Sequence, residues 1–359
     1  MTGVNRMHIG MIAPIWESTP PTGYGGIERV VDLLVRKLRE RGHTVTLFAT
    51  GDSPGAEEGT WTEAVALRKL GYDTWSAQMA ETMHLANAMS RRASFDLMHS
   101  HVGPLGNIVA EACGARMLST LHGPCTPQTR RYYQTYAHQA YISISDAQRE
   151  SYPAINFLGT VHNGIETSTY RCGAKKGYLL FLGRISPEKG THLAIAASRR
   201  MGIPLVIAGK VDPFDQEYFE REVAPGIDGT TVRFIGEVAG RSKREVLEGA
   251  IALLHLVQWS EPFGLVMVEA MASGTPVVAM RHGSIPEVVT PGVTGFVVDS
   301  LDEAVQALGR LSNLDSVACR QEAVSRFDAS RMIEGYLARY AALTAKGRTP
   351  MSAPPGRPE

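Results

Sequence analysis

The chain has 359 residues, 44% of them hydrophobic, which is enough to form large cores and favours two domains. Its 36 basic residues are balanced by 36 acidic ones, so it lacks the basic excess that is typical of nucleic-acid-binding proteins. We therefore expect no nucleic-acid partner.

The cysteines and the apolar runs indicate the compartment. The four cysteines have neither a metal-ligand spacing nor the pattern of a disulfide framework, and they lie far apart at Cys113, Cys125, Cys172 and Cys319. The first residues lack the apolar segment of a signal peptide, and no run of 18 apolar residues occurs. We expect a cytoplasmic protein with at most peripheral membrane contact.

The first half of the chain alternates short apolar runs with helical patterns. Apolar residues at helical spacing predict a helix that Gly42 ends. Alternating strands and helices are typical of a parallel, doubly wound α/β sheet. The predicted strands lie at 8–14, 45–49, 95–99, 117–121 and 141–144, and the helices at 27–41, 82–93 and 108–112.

The same alternation restarts after the turn signal Asn163-Gly164. Strands are predicted at 178–182, 205–208, 232–235, 252–257 and 277–279, and helices at 191–201, 217–223, 243–249, 265–273 and 330–345. The predicted divisions are an N-terminal acceptor-binding domain over 1–163, a C-terminal donor-binding domain over 164–328, a helix over 329–346 that packs back on the first domain, and a disordered tail over 347–359.

Two such domains joined by a hinge predict a cleft, because ligands bind at the carboxyl ends of the strands in open α/β sheets. The most informative segment for this cleft is 261–279, in which Glu261 and Glu269 lie eight residues apart. Glu261 stands in a Pro- and Gly-containing loop and Glu269 in an apolar helical run. Carboxylates accept hydrogen bonds from hydroxyls, and a glycine loop at a helix N-terminus favours phosphate. The pattern indicates a polyol joined to a phosphate, such as a nucleotide sugar.

This segment resembles the donor-sugar signature of the retaining glycosyltransferases of family four, which have the GT-B fold of two Rossmann-like domains facing a deep cleft. The resemblance extends over residues 7–345. It implies that Glu261 contacts the donor sugar and Glu269 the ribose, and that the loop residues Phe263, Gly264 and Leu265 also contact the donor.

Two cations follow the first strand of the second domain. Arg184 and Lys189 lie five residues apart after Gly183, at a strand-to-helix turn, where they can flank a diphosphate. The segment matches the G-R-x-x-x-x-K-G pattern of the same family, which implies that both residues hold the donor diphosphate and stabilise the leaving group. No Asp-x-Asp motif is present, so we expect neither a metal nor another cofactor.

A glycine-rich loop, Pro20 to Glu28, lies between the first strand and the first helix. It is long and does not fit the G-x-G-x-x-G fingerprint of dinucleotide-binding proteins. The resemblance implies instead that Gly25 and Gly26 lie against the donor phosphate. Tyr24 is then expected on the acceptor side.

Three histidines stand at predicted strand ends. His122 resembles the family's cleft histidine, which contacts the donor sugar or the acceptor, and we place it among the catalytic residues. His99 and His101 form an H-x-H pair that is insufficient for a metal site by itself, and we expect them on the acceptor side or in a packed turn. The remaining candidates also follow strands: Lys210 is expected near the nucleotide, and Glu237 and Val238 in the family's base-binding loop.

The expected activity is therefore metal-independent, retaining transfer of a sugar from a nucleoside-diphosphate sugar, with UDP slightly favoured, to an acceptor hydroxyl. The acceptor is a small molecule, a lipid-linked molecule or a polysaccharide. Two alternatives stay open: a nucleotide-sugar epimerase of the same fold, and a non-catalytic subunit that binds sugar nucleotides.

Overall fold

The structure is a computed structural model that describes residues 6–346. The tail predicted at 347–359 lies outside the described residues. Within them, two six-stranded sheets are each entirely parallel, and helices cover both faces. This arrangement confirms the predicted GT-B fold class of two Rossmann-like domains.

The N-terminal sheet has the strand order β2-β1-β3-β4-β5-β6. Its strands are β1 (His8–Ile12), β2 (Thr44–Phe48), β3 (Leu97–Ser100), β4 (Leu118–Thr120), β5 (Ala140–Ser143) and β6 (Phe157–Thr160). Its helices are α1 (Gly26–Glu40), α2 (Leu67–Leu70), α3 (Thr74–Ser90), α4 (Gly103–Ala112), α5 (Pro127–Thr135) and α6 (Asp146–Ser151).

The C-terminal sheet has the order β12-β11-β10-β7-β8-β9. Its strands are β7 (Tyr178–Leu182), β8 (Leu205–Ala208), β9 (Val232–Phe234), β10 (Ala250–His255), β11 (Val277–Met280) and β12 (Gly295–Val298). The helices are α7 (Thr191–Met201), α8 (Gln216–Tyr218) with a π-helical turn at Phe219–Val223, α9 (Gly240–Gly249), α10 (Leu265–Ala272), α11 (Ile285–Val288), α12 (Leu301–Leu308), α13 (Ser316–Phe327) and α14 (Ala329–Lys346).

The last helix, α14, belongs by its packing to the first domain. Met332, Ile333, Tyr336 and Tyr340 are buried in the same apolar core as residues of α1 and of the first sheet. The chain therefore crosses between the domains twice. At the crossings, the backbone N–H of Ile165 donates to the carbonyl of Phe327 (3.0 Å), and that of Ala329 donates to the carbonyl of Ile165 (2.9 Å).

Helix α3 is longer than predicted. It begins at Thr74 and not at residue 82, because the Asp73 side chain accepts a hydrogen bond from the backbone N–H of Ser76 (2.7 Å) and caps the helix. None of the helices in residues 6–346 has both the length and the apolarity needed to cross a bilayer.

Candidate functional site

A cleft of about 490 Å³ lies between the carboxyl ends of the two sheets. This volume is within the usual range for small-molecule sites. Most of the residues predicted to contact ligands line it: Tyr24, Gly25, Gly26, His122, Gly183, Arg184, Lys189, Lys210, Glu237, Val238, Glu261, Phe263, Gly264, Leu265 and Glu269.

Glu261 is a buried carboxylate of the cleft that is paired with a lysine. It follows β10 in a loop and is only 6% exposed. Its Oε2 lies 2.6 Å from Lys189 Nζ and accepts a hydrogen bond from Trp259 Nε1 (3.1 Å). Burial by itself would raise the pKa of Glu261, but His255 and Lys189 beside it lower the pKa to about 2. Glu261 is therefore a carboxylate at neutral pH, and Lys189 is its counter-ion.

Glu269, in the second turn of α10, is a second carboxylate that lines the cleft. Lys243 Nζ of α9 lies 2.6 Å from both of its carboxylate oxygens, and the hydroxyl of Tyr170 donates to its Oε1 (3.0 Å). Neither Lys243 nor Tyr170 was predicted from the sequence. Lys243 lies on an exposed-looking basic helix, and only the tertiary fold places it against Glu269.

The N-termini of α10 and α1 face each other across the cleft. A Cβ built on Gly26 would lie 3.6 Å from Leu265 Cδ1. Gly264 has φ +79° as the N-cap of α10, and a side chain there would also meet Met267 Cε at 2.5 Å. Glycine is thus required at the point where the chain enters α10. Two helix N-termini at one point create a favourable environment for an anion.

Two further cations of the C-terminal domain, Arg184 and Lys210, are also paired with carboxylates. Arg184 Nη1 lies 3.2 Å from Asp215 Oδ2, and its Nη2 binds Glu188. Lys210 Nζ lies 3.4 Å from Asp212 Oδ2. An anionic ligand must therefore replace these carboxylates around Arg184 and Lys210, and it would find the cations already assembled.

Tyr24 and Glu237 connect the two sides of the cleft. The backbone N–H of Tyr24 donates to Glu237 Oε1, and the Tyr24 ring lies 4.9 Å from Lys210 Nζ. Tyr24 was predicted on the acceptor side. The structure places its contacts on the C-terminal domain, because the glycine loop reaches across the cleft.

The three histidines form a column that runs from the cleft into the core. His122 lines the cleft, and its Nε2 lies 2.8 Å from His101 Nδ1. His99 is completely buried, with Nδ1 2.7 Å from the Tyr340 hydroxyl and Nε2 2.8 Å from Thr120 Oγ1. Of the two positions expected for His99 and His101, this burial fits the packed turn, since α14 covers His99 and His101 lies behind His122, which lines the cleft.

Glu28 was missed by the sequence analysis. It lies in the first turn of α1, lines the cleft and is 5% exposed. Burial, opposed by its own backbone N–H, raises the pKa of Glu28 to about 7. The available signal was an acidic residue two positions after Gly25-Gly26, where a first-turn glutamate can reach back to the N-cap.

Comparison with known proteins agrees with this site. Residues 170–320 match the family model described as glycosyl transferases group 1, and residues 24–169 match the model described as glycosyltransferase family 4. The α-maltose-1-phosphate synthase of Mycobacterium tuberculosis is 30% identical over 84% of this chain and 88% of the relative. The glycogen synthase of the same organism is 27% identical over 88% of each chain.

A solved structure shows the same fold. The crystal structure of AviGT4, a glycosyltransferase involved in avilamycin A biosynthesis, is 27% identical, covers 94% of this chain and 98% of its own, and superposes with a TM-score of 0.70. The family models, these relatives and the geometry of the cleft agree, and the chain therefore belongs to the group 1 glycosyltransferases of family four and is a glycosyltransferase of GT-B fold.

Proposed function

We propose that the protein transfers a sugar from a nucleoside-diphosphate sugar, with UDP slightly favoured, to an acceptor hydroxyl, with retention of the anomeric configuration and without a metal ion. One observation carries the proposal: Lys189 Nζ and Glu261 Oε2 are 2.6 Å apart in the cleft. A ligand that binds both would present an anionic or acceptor oxygen beside a hydrogen-bond donor, as a phosphate oxygen next to a hydroxyl does. The linkage between a sugar and a diphosphate has this chemistry.

The diphosphate is assigned to Arg184 and Lys189. Arg184 offers two donors and Lys189 a point charge, and the N-termini of α1 and α10 add partial positive charge. The diphosphate would displace the carboxylates of Asp215 and Glu188 from Arg184. These charges stabilise the phosphate that departs.

The nucleoside is assigned to the part of the cleft around Glu269 and Val238. This carboxylate is paired with Lys243 and held by Tyr170, so it is oriented to accept hydrogen bonds from the vicinal hydroxyls of a ribose. Val238, in the loop after β9, is assigned to the base. Two relatives of the chain are named glycogen synthase and α-maltose-1-phosphate synthase, which supports the transfer of a sugar.

The reaction breaks the bond between the anomeric carbon and the diphosphate oxygen. The acceptor oxygen forms the new bond on the same face, and its proton passes to the departing phosphate oxygen. His122 is a poor general base for this step, because burial lowers its pKa to about 3. Glu261 is engaged with Lys189 and orients the sugar hydroxyls, which makes it less suited to act as a covalent nucleophile.

The test combines binding with product analysis. UDP, GDP, ADP and their sugars are compared by thermal shift, where a ligand at 100 times its dissociation constant stabilises the protein by about 2.7 kcal/mol. The preferred donor is then incubated with glycoside, polyol and lipid-linked acceptors, and proton NMR records the first product. An α-product from an α-linked donor supports the proposal. A β-product refutes retention, and turnover without an acceptor would favour the epimerase alternative.

A further inference from the structure

The cleft histidine is in contact with a second, buried histidine. His101 and His122 stand just after the neighbouring parallel strands β3 and β4, with ring centroids 5.1 Å apart and an interplanar angle of 28°. The 2.8 Å contact between His101 Nδ1 and His122 Nε2 is a hydrogen bond that needs one hydrogen. Burial lowers the pKa of both rings, so both are neutral at pH 7 and each carries one N–H.

Two arrangements of these hydrogens are possible. In the first, His101 donates from Nδ1, and its Nε2 is a bare acceptor. In the second, His122 donates from Nε2, and His101 must carry its hydrogen on Nε2. His101 is 2% exposed, and its Nε2 has no hydrogen-bond partner among the described residues. The second arrangement therefore buries an orphaned N–H, whereas the first leaves only an unused lone pair, which proteins tolerate more often.

We propose that His101 is a positioning residue that fixes the tautomer of His122, so that His122 carries its hydrogen on Nδ1 and presents an N–H donor to the ligand in the cleft. His122 Nδ1 makes no hydrogen bond to any described residue and is the ring nitrogen left for a ligand. His122 therefore donates to an oxygen of the sugar or of the acceptor, and it cannot take a proton from the acceptor.

The rest of the column holds His101 in place. His99 lies against the His101 ring with centroids 4.3 Å apart, and both nitrogens of His99 are engaged, by Tyr340 and by Thr120. Thr120 Oγ1 is in turn 3.1 Å from the Tyr336 hydroxyl. Helix α14 thus fixes the ring on which His101 rests, and the orientation of a cleft residue depends on the last helix of the chain.

The direct test is nitrogen NMR of the full-length protein labelled with ¹⁵N-histidine. The ring signals of His122 and His101 are assigned from the variants His122→Gln and His101→Asn. The expected spectrum of the unliganded protein shows a protonated Nδ1 and a bare Nε2 for His122, and a protonated Nδ1 for His101. A protonated Nε2 on His122, or an average of the two tautomers, overturns the proposal. This test needs no activity, so it is independent of the proposed function.

The catalytic consequence rests on the proposed function and is tested with a matched pair. Asn at position 101 keeps a donor near the position of Nδ1, whereas His101→Phe keeps the ring shape and removes the donor. By analogy with the outer-shell partners of metal ligands, we expect His101→Phe to lower kcat about 10- to 100-fold with an unchanged dissociation constant for the nucleoside diphosphate, and His101→Asn to recover most of the loss. Equal rates in wild type and His101→Phe, with both melting at the same temperature, would overturn the positioning role. A wild-type protein with no transfer to any acceptor would instead refute the proposed function.

Discussion

The ammonium of Lys189 lies 2.6 Å from a carboxylate oxygen of Glu261, a residue 72 positions further along the chain. Each residue is the counter-ion of the other. A diphosphate sugar would give Lys189 a second anion and Glu261 a set of hydroxyls. The two residues are therefore coupled, and a substitution of either one changes the charge that the other presents to the ligand.

Glu261→Gln should lower the rate of transfer about 100- to 1000-fold, the range seen when a polar group that supports the transition state is lost. The same substitution releases Lys189, so the affinity for the nucleoside diphosphate should stay constant or increase. Isothermal titration calorimetry with the nucleoside diphosphate separates the two effects. A tenfold loss of affinity would show that Glu261 contacts the nucleotide and not the sugar.

Glu269→Gln, unlike Glu261→Gln, should mainly weaken the binding of the nucleoside diphosphate. It removes a charged acceptor of hydrogen bonds from ribose, which is worth about 1.5–3 kcal/mol, so nucleoside diphosphate binding should weaken about 10- to 100-fold. Inorganic pyrophosphate, which lacks the ribose, should bind as it does to the wild type. Tyr170→Phe is the matched control, since it removes only a hydrogen bond to the same carboxylate. Equal losses for pyrophosphate and nucleotide would contradict the ribose assignment.

Arg184→Ala and Lys189→Ala should each cost about 2–4 kcal/mol of transition-state stabilisation, measured from kcat/KM. The value of kcat/KM should fall further in the Lys189 variant, because this substitution leaves the buried Glu261 without its counter-ion. The partners of Arg184 are more exposed. Arg200→Ala is the control: Arg200 forms a comparable pair with Asp302 (2.6 Å) on the exposed surface. Normal activity in the Arg184 or Lys189 variant would place the diphosphate elsewhere.

Transfer should persist in excess EDTA and should not increase when magnesium or manganese is added. The reason is the assignment of the diphosphate charge to Arg184 and Lys189. Initial rates before and after chelation, and after the metal is restored, are the measurement. Activity that disappears with EDTA and returns with a divalent ion would reject the metal-independent mechanism.

The protein should lose stability as the pH falls below about 6.5. Burial lowers the pKa of His84 to about 4 and that of His99 and His122 to about 3, whereas histidines in the unfolded chain protonate near 6.5. Between these values the unfolded state binds more protons, so each such histidine removes on the order of 1.4 kcal/mol per pH unit.

Glu28 acts in the opposite direction, because its raised pKa of about 7 makes the folded state take up a proton before the unfolded state does. Three buried histidines oppose this one glutamate, so the free energy of unfolding should still decrease as the pH falls. Urea unfolding at pH 7.5, 6.5 and 5.5 provides the free energies. Equal or greater stability at pH 5.5 would show that these rings are not held neutral in the folded protein.

The central strands of the C-terminal sheet were predictable because their apolar runs are nearly continuous, as strands covered on both faces require. β7, for example, was predicted with its observed bounds, Tyr178–Leu182. β6 and β12 were missed: both are short strands at the edges of their sheets, and each residue of β6 is only half-buried.

The motifs also located much of the cleft, since Glu261, Arg184 and Lys189 are defined by local spacing. The surroundings of His99 could not be inferred in this way. The residues that cover it, Tyr336 and Tyr340, come more than 230 positions later, and only long-range packing brings them to the end of β3. Lys243 was unpredictable for the same reason, because its partner lies on a different helix.

The two interdomain crossings lie side by side, with Ile165 hydrogen-bonded to residues on both sides of Asp328. A single connecting strand would let one domain swivel freely about its bond axes. Two connecting segments that are hydrogen-bonded to each other resist this twisting. The motion that they resist least is bending of one domain towards the other. We therefore expect the cleft to open and close by bending about these paired crossings and not by twisting. Cleavage of the chain at residue 163 would also separate the first sheet from α14, and the isolated fragment would expose the apolar surface that Tyr336 and Tyr340 now cover.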